Sequence, residues 1–218
     1  MAAHAKRKIT EPLPDDLILE ISNRGVGENK ILDAFFQVRR EDFVPLEFQD
    51  QAYEDIPILI GHGQTTSQPS LIAKMLEALH LTPKDKILEI GTGFGFQTAL
   101  LAQLCREVFS IERINDLAMT AESNLRNAGI KNAHIIVGDG TLGLPEQKPF
   151  DAILVSAAAP HVPTPLINQL IEGGRLVQPI GPGGREIVTL FQKQNGALIK
   201  KRTLTGAYFV PLIGTFGL

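Results

Sequence analysis

With 218 residues, 44% of them hydrophobic, the chain can bury a full core in one substantial α/β domain and is short of two comfortable ones. A formal net charge of −3 offers no basic stripe for nucleic acid, and no apolar run approaches the roughly 20 residues that a membrane span needs. The single cysteine, Cys105, excludes an intramolecular disulfide and a cysteine-cluster metal site, and its place after Leu100-Leu101-Ala102-Gln103-Leu104 reads as a buried small side chain rather than a nucleophile.

The chain opens on a basic segment, His4-Ala5-Lys6-Arg7-Lys8, with no apolar region behind it. That pattern reads as a frayed tail and not as a secretory signal, and a soluble protein of the cytoplasm is expected. From Pro12 to about Arg40, Leu17, Ile18, Ile21, Ile31, Leu32, Phe35 and Phe36 recur at helical spacing, and Gly25-Val26-Gly27 divides the run into two helices. Asp42-Phe43-Val44-Pro45 is a connector. The stretch from Glu47 to Gln68 is polar and irregular, and a loop of that length is more often functional than idle. Pro69 suits the first turn of a helix through Ile72, Met75, Leu76 and Leu79.

A regular alternation follows. Strands are expected at Ile87–Ile90, Val108–Ile111, Ala133–Val137 and Ala152–Val155, with helices over 97–104 and 116–128 between them. A further helix through Leu166, Leu170 and Ile171 leads to Arg175–Pro179. Strands alternating with helices imply βαβ units and a mostly parallel sheet. In the tail, Ile187–Phe191 and Leu198-Ile199 flank Asn195-Gly196, a strong hairpin signal, so the sheet should end in an antiparallel pair. This gives an α/β fold, Rossmann-like, doubly wound and mostly parallel; its closure by a C-terminal hairpin resembles the class I methyltransferases. A helical N-terminal extension with the long loop, residues 1–83, packs on a catalytic core, residues 84–218, as one compact unit.

The first strand runs into Gly91-Thr92-Gly93-Phe94-Gly95-Phe96. Glycines let the backbone turn sharply and approach a ligand, and the helix beyond offers free N–H groups. A dinucleotide fingerprint needs glycine where Phe96 stands, and the Gly-Lys-Ser/Thr of a P-loop is absent. The spacing G-x-G-x-G resembles an S-adenosyl-L-methionine loop instead. Glu112, after the second strand, is placed to accept both ribose hydroxyls, and Asp139-Gly140, after the third, to take the adenine amino group. A lone Asp-Gly after a strand is ordinarily only a turn, so that assignment leans on the other two.

Longer blocks carry a narrower resemblance. They are Phe43-Val44-Pro45, Ala52-Tyr53-Glu54-Asp55, Gly61-His62-Gly63-Gln64-Thr65-Thr66-Ser67-Gln68-Pro69, Ile87–Gly93, Gly138–Thr141, Pro149–Val155, Gly173–Leu176 and Phe209-Val210-Pro211-Leu212. On these the chain resembles the protein-L-isoaspartate O-methyltransferase family from about Ile31 to Gly214. The resemblance implies transfer of a methyl group to the free α-carboxylate of an L-isoaspartyl residue in a damaged protein or peptide, leaving S-adenosyl-L-homocysteine. The ester then cyclises to a succinimide that reopens partly to aspartate. It also implies that Ser67 is the active-site serine, although serine also caps helices and Pro69 begins one. Glu89, Gly91, Thr92, Gly93, Gly95, Glu112, Asp139 and Gly140 form the expected cofactor set. Thr65, Thr66, Phe209, Val210, Pro211 and Leu212 form the expected substrate set, the apolar C-terminal stretch binding peptide through its main chain. His62 reads as a loop residue, because a carboxylate nucleophile needs no base near pH 7.

Three positions depart from the family pattern: Phe94 and Phe96 replace a hydroxyl-bearing and a phenolic residue, and Thr66 stands where isoleucine is usual. No metal is expected, the partners are isoaspartyl proteins rather than nucleic acid or membrane, and a monomer is expected. Two alternatives remain: a methyltransferase of another carboxylate or small molecule, and a cofactor-binding adaptor without turnover.

Overall fold

The computed structural model describes residues 14–218; the basic segment at His4–Lys8 and the start of the first expected helix lie outside the described residues. Helix α1 (Pro14–Asn23) buries Leu17 and Ile21, one turn apart, and helix α2 (Asn29–Gln37) buries Ile31, Ala34 and Phe35. Gly25 breaks the run with φ +94°, a conformation that carries no steric penalty only for glycine.

The segment expected to be irregular has more order than its sequence suggested. A 3-10 turn spans Leu46–Gln51, and strands β1 (Ile58–Gly61) and β2 (Gln64–Thr66) form a separate antiparallel hairpin. His62 and Gly63 make its turn with φ of +51° and +69°, the left-handed pair that matches strand twist. Helix α3 (Pro69–Ala78) follows with proline in its first turn, as expected.

The main sheet has seven strands in the order β5-β4-β3-β6-β7-β8-β9. Strand β3 (Lys86–Ile90) lies between β4 (Glu107–Glu112) and β6 (Phe150–Val155), and β5 (Ala133–Val137) sits outside β4, all parallel. Helices α4 (Phe96–Leu104) and α5 (Asn115–Asn127) make the first two crossovers. The chain winds away from β3 in one direction and then restarts at β6 on its other side. The gap between β3 and β6 is therefore a topological switch point, where a crevice opens at the carboxyl ends of the strands.

Helix α6 (Thr164–Gln169) is shorter than expected. Leu170 and Ile171 belong instead to β7 (Leu170–Ile180), because Leu170 pairs with Phe150 across the sheet. Tertiary pairing overrides the helical spacing there. Strands β8 (Arg185–Gln194) and β9 (Ala197–Tyr208) are successively antiparallel and joined at Asn195-Gly196, with φ of +53° and +76°. The terminal hairpin is thus present, and longer than its apolar residues alone indicated.

One apolar cluster joins Leu17, Ile21, Phe35 and Phe43 to Phe96, Leu100 and Val108. The described part of the N-terminal extension therefore shares a core with the cofactor-side helices. A second cluster, with Leu88, Phe150, Leu166 and Leu176, fills the other face of the sheet. Cys105 is buried, and burial pushes its thiol up to about 12, which makes it inert at neutral pH. Among the described residues no helix is long and apolar enough to cross a membrane, and no group of three or more His, Cys, Asp or Glu side chains is placed to hold a metal ion.

Candidate active site

At the switch point the carboxyl ends of the central strands surround a cleft of about 890 Å³. Its walls include Gly91, Thr92 and Gly93 after β3, Glu112 at the end of β4, Gly140 after β5 and Ser156 after β6. Gly93 turns with φ +56°, and a Cβ there would stand 3.0 Å from Cδ1 of Ile60, which reaches over from the β1–β2 hairpin. A side chain at Gly93 would therefore crowd Ile60 where the loop faces the hairpin. Gly140 is tighter still: a Cβ would lie 2.4 Å from Cγ2 of Ile90, so the chain can follow the cleft wall only with glycine.

Glu112 is 6% exposed, and its two oxygens accept from the main-chain N–H of Gly93 and of Ile114, each at 3.0 Å. Each oxygen keeps a second lone pair, so the carboxylate can accept a vicinal pair of hydroxyls from its place on the wall. A glycine-floored cleft with an anchored carboxylate suits the adenosine and ribose of S-adenosyl-L-methionine.

Other members of the expected cofactor set stand elsewhere. Glu89 lies behind the wall, wholly buried, accepting from Gln97 Nε2 at 2.8 Å, Thr98 at 2.5 Å and Ser110 at 2.6 Å. Burial pushes its carboxyl up to about 7 against those three bonds, with the nearby Glu112 charge adding to the rise. It ties the first turn of α4 to β4 and does not line the cleft. Gly95 packs α4 onto α5, its absent Cβ 3.4 Å from Ala121 and Leu125, and does not line the cleft. Asp139 does not line it either. Its Oδ1 accepts from the Thr141 N–H and hydroxyl at 2.9 and 2.6 Å, and its Oδ2 from Thr215 N–H at 2.8 Å. It caps a 3-10 turn and ties down the C-terminal segment, so Gly140 alone of that pair lines the cleft.

A second cavity of about 930 Å³ lies alongside, with Pro57, Gln68, Leu71, Arg185, Tyr208 and Phe209 in its walls. The two cavities share Thr65, Ser67, Ser156 and Val210. Of the expected substrate set, Phe209 lines the second cavity alone, Thr65 and Val210 line both, and Thr66, Pro211 and Leu212 line the first. The C-terminal stretch is also less available to a peptide than expected. Phe209 N–H donates to Glu186, Ala158 N–H to the Val210 carbonyl at 2.8 Å, and Leu212 N–H to the Ala158 carbonyl at 2.7 Å. Much of its main chain is already paired, which leaves side chains as its main contribution.

Ser67 is not a helix cap. The cap position of α3 is Gln68, and the Ser70 N–H is taken by Asp55 at 2.8 Å, while Asp55 also accepts from Gln68 at 2.7 Å. Among the described residues the Ser67 hydroxyl has no hydrogen-bond partner, and it lies where the cavities meet. Its main chain, by contrast, is held. The wholly buried guanidinium of Arg40 donates to the carbonyls of Ala52, Glu54 and Ile56 at 3.1, 2.9 and 2.9 Å, to the Thr66 hydroxyl at 3.2 Å and to the Ser67 carbonyl at 3.5 Å. Burial pulls the Arg40 pKa down to about 10, with the Asp55 charge opposing, so it stays cationic at neutral pH.

Phe96 is buried between Phe35 and Phe43, at 5.8 and 6.0 Å between ring centroids, with Arg40 at 5.7 Å over its ring. The ring at this departure from the family pattern therefore serves packing. Sequence reasoning missed Arg40, Gln97 and Ser156. The position of Ser156 had a signal, since it follows its strand as Gly91 and Glu112 follow theirs.

The model of the Protein-L-isoaspartate(D-aspartate) O-methyltransferase family matches residues 14–216. A relative from Methanoculleus marisnigri named protein-L-isoaspartate O-methyltransferase is 47% identical over 198 residues, 91% of this chain and 90% of its own length. One of the same name from Syntrophus aciditrophicus is 50% identical over 202 residues, 91% of this chain and 92% of its own. A solved protein-L-isoaspartate O-methyltransferase superposes with a TM-score of 0.83 at 30% identity, covering 94% of this chain and 67% of that one. A Plasmodium falciparum structure described as such a methyltransferase, in complex with S-adenosyl-L-homocysteine, gives 0.81 at 26% identity over 93% of this chain and 99% of that one. On this match of sequence, fold and cleft, the chain belongs to the protein-L-isoaspartate(D-aspartate) O-methyltransferase family.

Proposed function

We propose that this chain methylates the free α-carboxylate of L-isoaspartyl residues in damaged proteins and peptides, using S-adenosyl-L-methionine, with Ser67 at the point of transfer. The observation that carries the reading is the meeting of two cavities at Ser67, one fitted to the cofactor and the other open to a peptide.

When bound, S-adenosyl-L-methionine would supply a methyl carbon on a sulfonium, from which a carboxylate oxygen could take the methyl group as the C–S electron pair passed to sulfur. The carboxylate is ionised at neutral pH and needs no base, so the task left to the protein is position. Gly91, Gly93 and Gly140 let the main chain approach the adenosine, and Glu112 holds the ribose. Arg40 and Thr66 fix the main chain at Ser67, whose free hydroxyl donates to one carboxylate oxygen and leaves the other aimed through the joint. Ile60, Phe96 and Leu212 line the cleft with apolar surface that limits water at the reacting atoms.

The same reading has the enzyme act as a monomer in the cytoplasm on protein substrates rather than nucleic acid. A single buried cysteine and a net charge of −3 accord with that setting. The decisive experiment gives the protein labelled cofactor and a matched pair of peptides, one isoaspartyl and one aspartyl. Label is expected in the first and not the second. Equal labelling of both would defeat the specificity, and labelling of neither would defeat the assignment.

A further inference from the structure

Thr65, Ser67, Ser156 and Val210 line both cavities. Ser67 arrives from the segment between β2 and α3, whereas Ser156 follows the last residue of β6 on the sheet side. The main chain of Ser156 is fixed by its N–H donating to the Ile90 carbonyl at 2.9 Å. Its Oγ lies 2.7 Å from Gln97 Nε2, and the same nitrogen lies 2.8 Å from Glu89 Oε1. Gln97 is 7% exposed and Glu89 wholly buried, and the amide nitrogen is bonded to both oxygens. An amide nitrogen has hydrogens to give and no lone pair to offer, so the Ser156 oxygen is the acceptor in this contact. The Ser156 proton therefore has no acceptor among the described residues. It sits on a half-buried side chain in the walls of both cavities, a donor held in place with nothing to donate to.

A carboxylate entering the joint brings more lone pairs than Ser67 alone can satisfy. One oxygen must stay free to attack, and the other can accept from two hydroxyls at once. We propose that Ser156 is the second hydroxyl that grips the substrate carboxylate, closing with Ser67 on its non-attacking oxygen, while Gln97 acts as the positioning residue that sets the Ser156 rotamer. This rests on the carboxyl methyltransferase reading above and adds a contact to it. A carboxylate loses its charge as the ester forms, so both hydroxyl bonds are strongest before transfer. Their contribution lies in binding and aiming the acceptor.

The test compares the unmodified chain with Ser156→Ala, Ser67→Ala and the double variant, using the isoaspartyl peptide. Three readouts are kcat/KM for the peptide, Kd for S-adenosyl-L-homocysteine and the thermal midpoint. Ser156→Ala is expected to lower kcat/KM by about tenfold to a hundredfold, the size of a lost hydrogen bond to a charged group, with Kd close to the parent and the midpoint modestly lower because the buried Gln97 amide loses an acceptor. The double variant should lose less than the product of the single losses, because the two hydroxyls share one oxygen. A Ser156→Ala rate within twofold of the parent overturns the inference alone. So does a loss matched by an equal weakening of cofactor binding, which would make Ser156 a cofactor contact. Failure of the unmodified chain to methylate the peptide overturns the functional reading and this inference with it.

Discussion

The buried guanidinium of Arg40 donates to the hydroxyl of Thr66 at 3.2 Å, and that hydroxyl donates onward to the main-chain carbonyl of Ser67 at 3.1 Å. A side chain from the 3-10 turn at Arg40–Phe43 thereby sets the position of a residue far along the chain. The same cation also gathers the carbonyls of Ala52, Glu54 and Ile56. Arg40→Met keeps the apolar bulk and removes every donor. It is expected to cost about 3–5 kcal/mol, as for breaking other buried charged networks, and to abolish transfer. Arg40→Lys should rescue little, because one ammonium cannot reach acceptors spread around a planar fork. Urea unfolding with an activity assay checks both, and a mild Arg40→Lys phenotype would show that the charge matters more than the fork.

Ser67 and Glu112 should separate kinetically. Ser67→Ala removes a hydroxyl with no partner in the fold, so stability and cofactor affinity should hold while peptide kcat/KM falls about tenfold to a hundredfold. Glu112→Ala should weaken cofactor binding first, and it also strips the acceptor from the Gly93 and Ile114 N–H groups. Glu112→Gln keeps an acceptor for one of those groups and should lie between Ala and the parent. Calorimetric titration with S-adenosyl-L-homocysteine gives the ranking. A Glu112→Ala protein that binds cofactor normally would mean that the carboxylate only braces the loop.

The sequence disclosed those parts of the structure whose cause is local. Pro69 opens a helix because its ring suits a first turn, and Asn195-Gly196 turns a hairpin because both residues accept positive φ. Glu112 could be placed because the strand before it is plain. What stayed hidden depends on contacts distant in sequence. The hairpin at Ile58–Thr66 has strands too short to show alternation, and Arg40 looks like any other arginine until five acceptors converge on it. Leu170 keeps helical spacing with Leu166, yet its pairing with Phe150 makes it strand. Asp139 occupied the expected position after β5, and only the fold shows its carboxylate bonded to Thr141 and Thr215.

Glu89 makes stability depend on pH. Burial raises its carboxyl from the ordinary 4.5 to about 7, despite bonds from Ser110, Thr98 and Gln97. Between those values the folded chain holds a proton that the unfolded chain has released. Stability therefore falls as pH rises through that window, and levels off above it. Glu89→Gln cannot ionise and should lose this dependence. Its unfolding free energy relative to the parent should climb from pH 5 to pH 8, by at most about 1.4 kcal/mol for each unit of pKa difference. Groups common to both proteins cancel in the comparison. Denaturant midpoints at intervals across the window measure it, and a flat difference would show that Glu89 keeps its ordinary pKa despite burial.

Asp139 tests whether a residue after β5 acts on the cofactor directly or through the chain end. Its oxygens cap the turn at Thr141 and hold Thr215, and Thr141 Oγ1 accepts from the Phe216 N–H at 3.0 Å. Gly214 sits so close that a Cβ there would fall 2.0 Å from Asp139 Oδ1. Burial works to raise the Asp139 pKa, but the bonds from Thr141 and Thr215 hold it below the usual carboxylate range. Its contribution is therefore present above the unfolded value and lost as pH falls through the lower folded one. Asp139→Ala should cost about 1–2 kcal/mol, as for a lost helix cap, and free residues 214–218. Leu212 and Ile213, just upstream, line the cofactor cleft, so affinity should fall several-fold as a consequence of the lost tether. Amide exchange at Thr215 and Phe216 should then rise in step with the loss of affinity. If affinity falls while both amides stay protected, Asp139 contacts the cofactor itself and the tether is incidental.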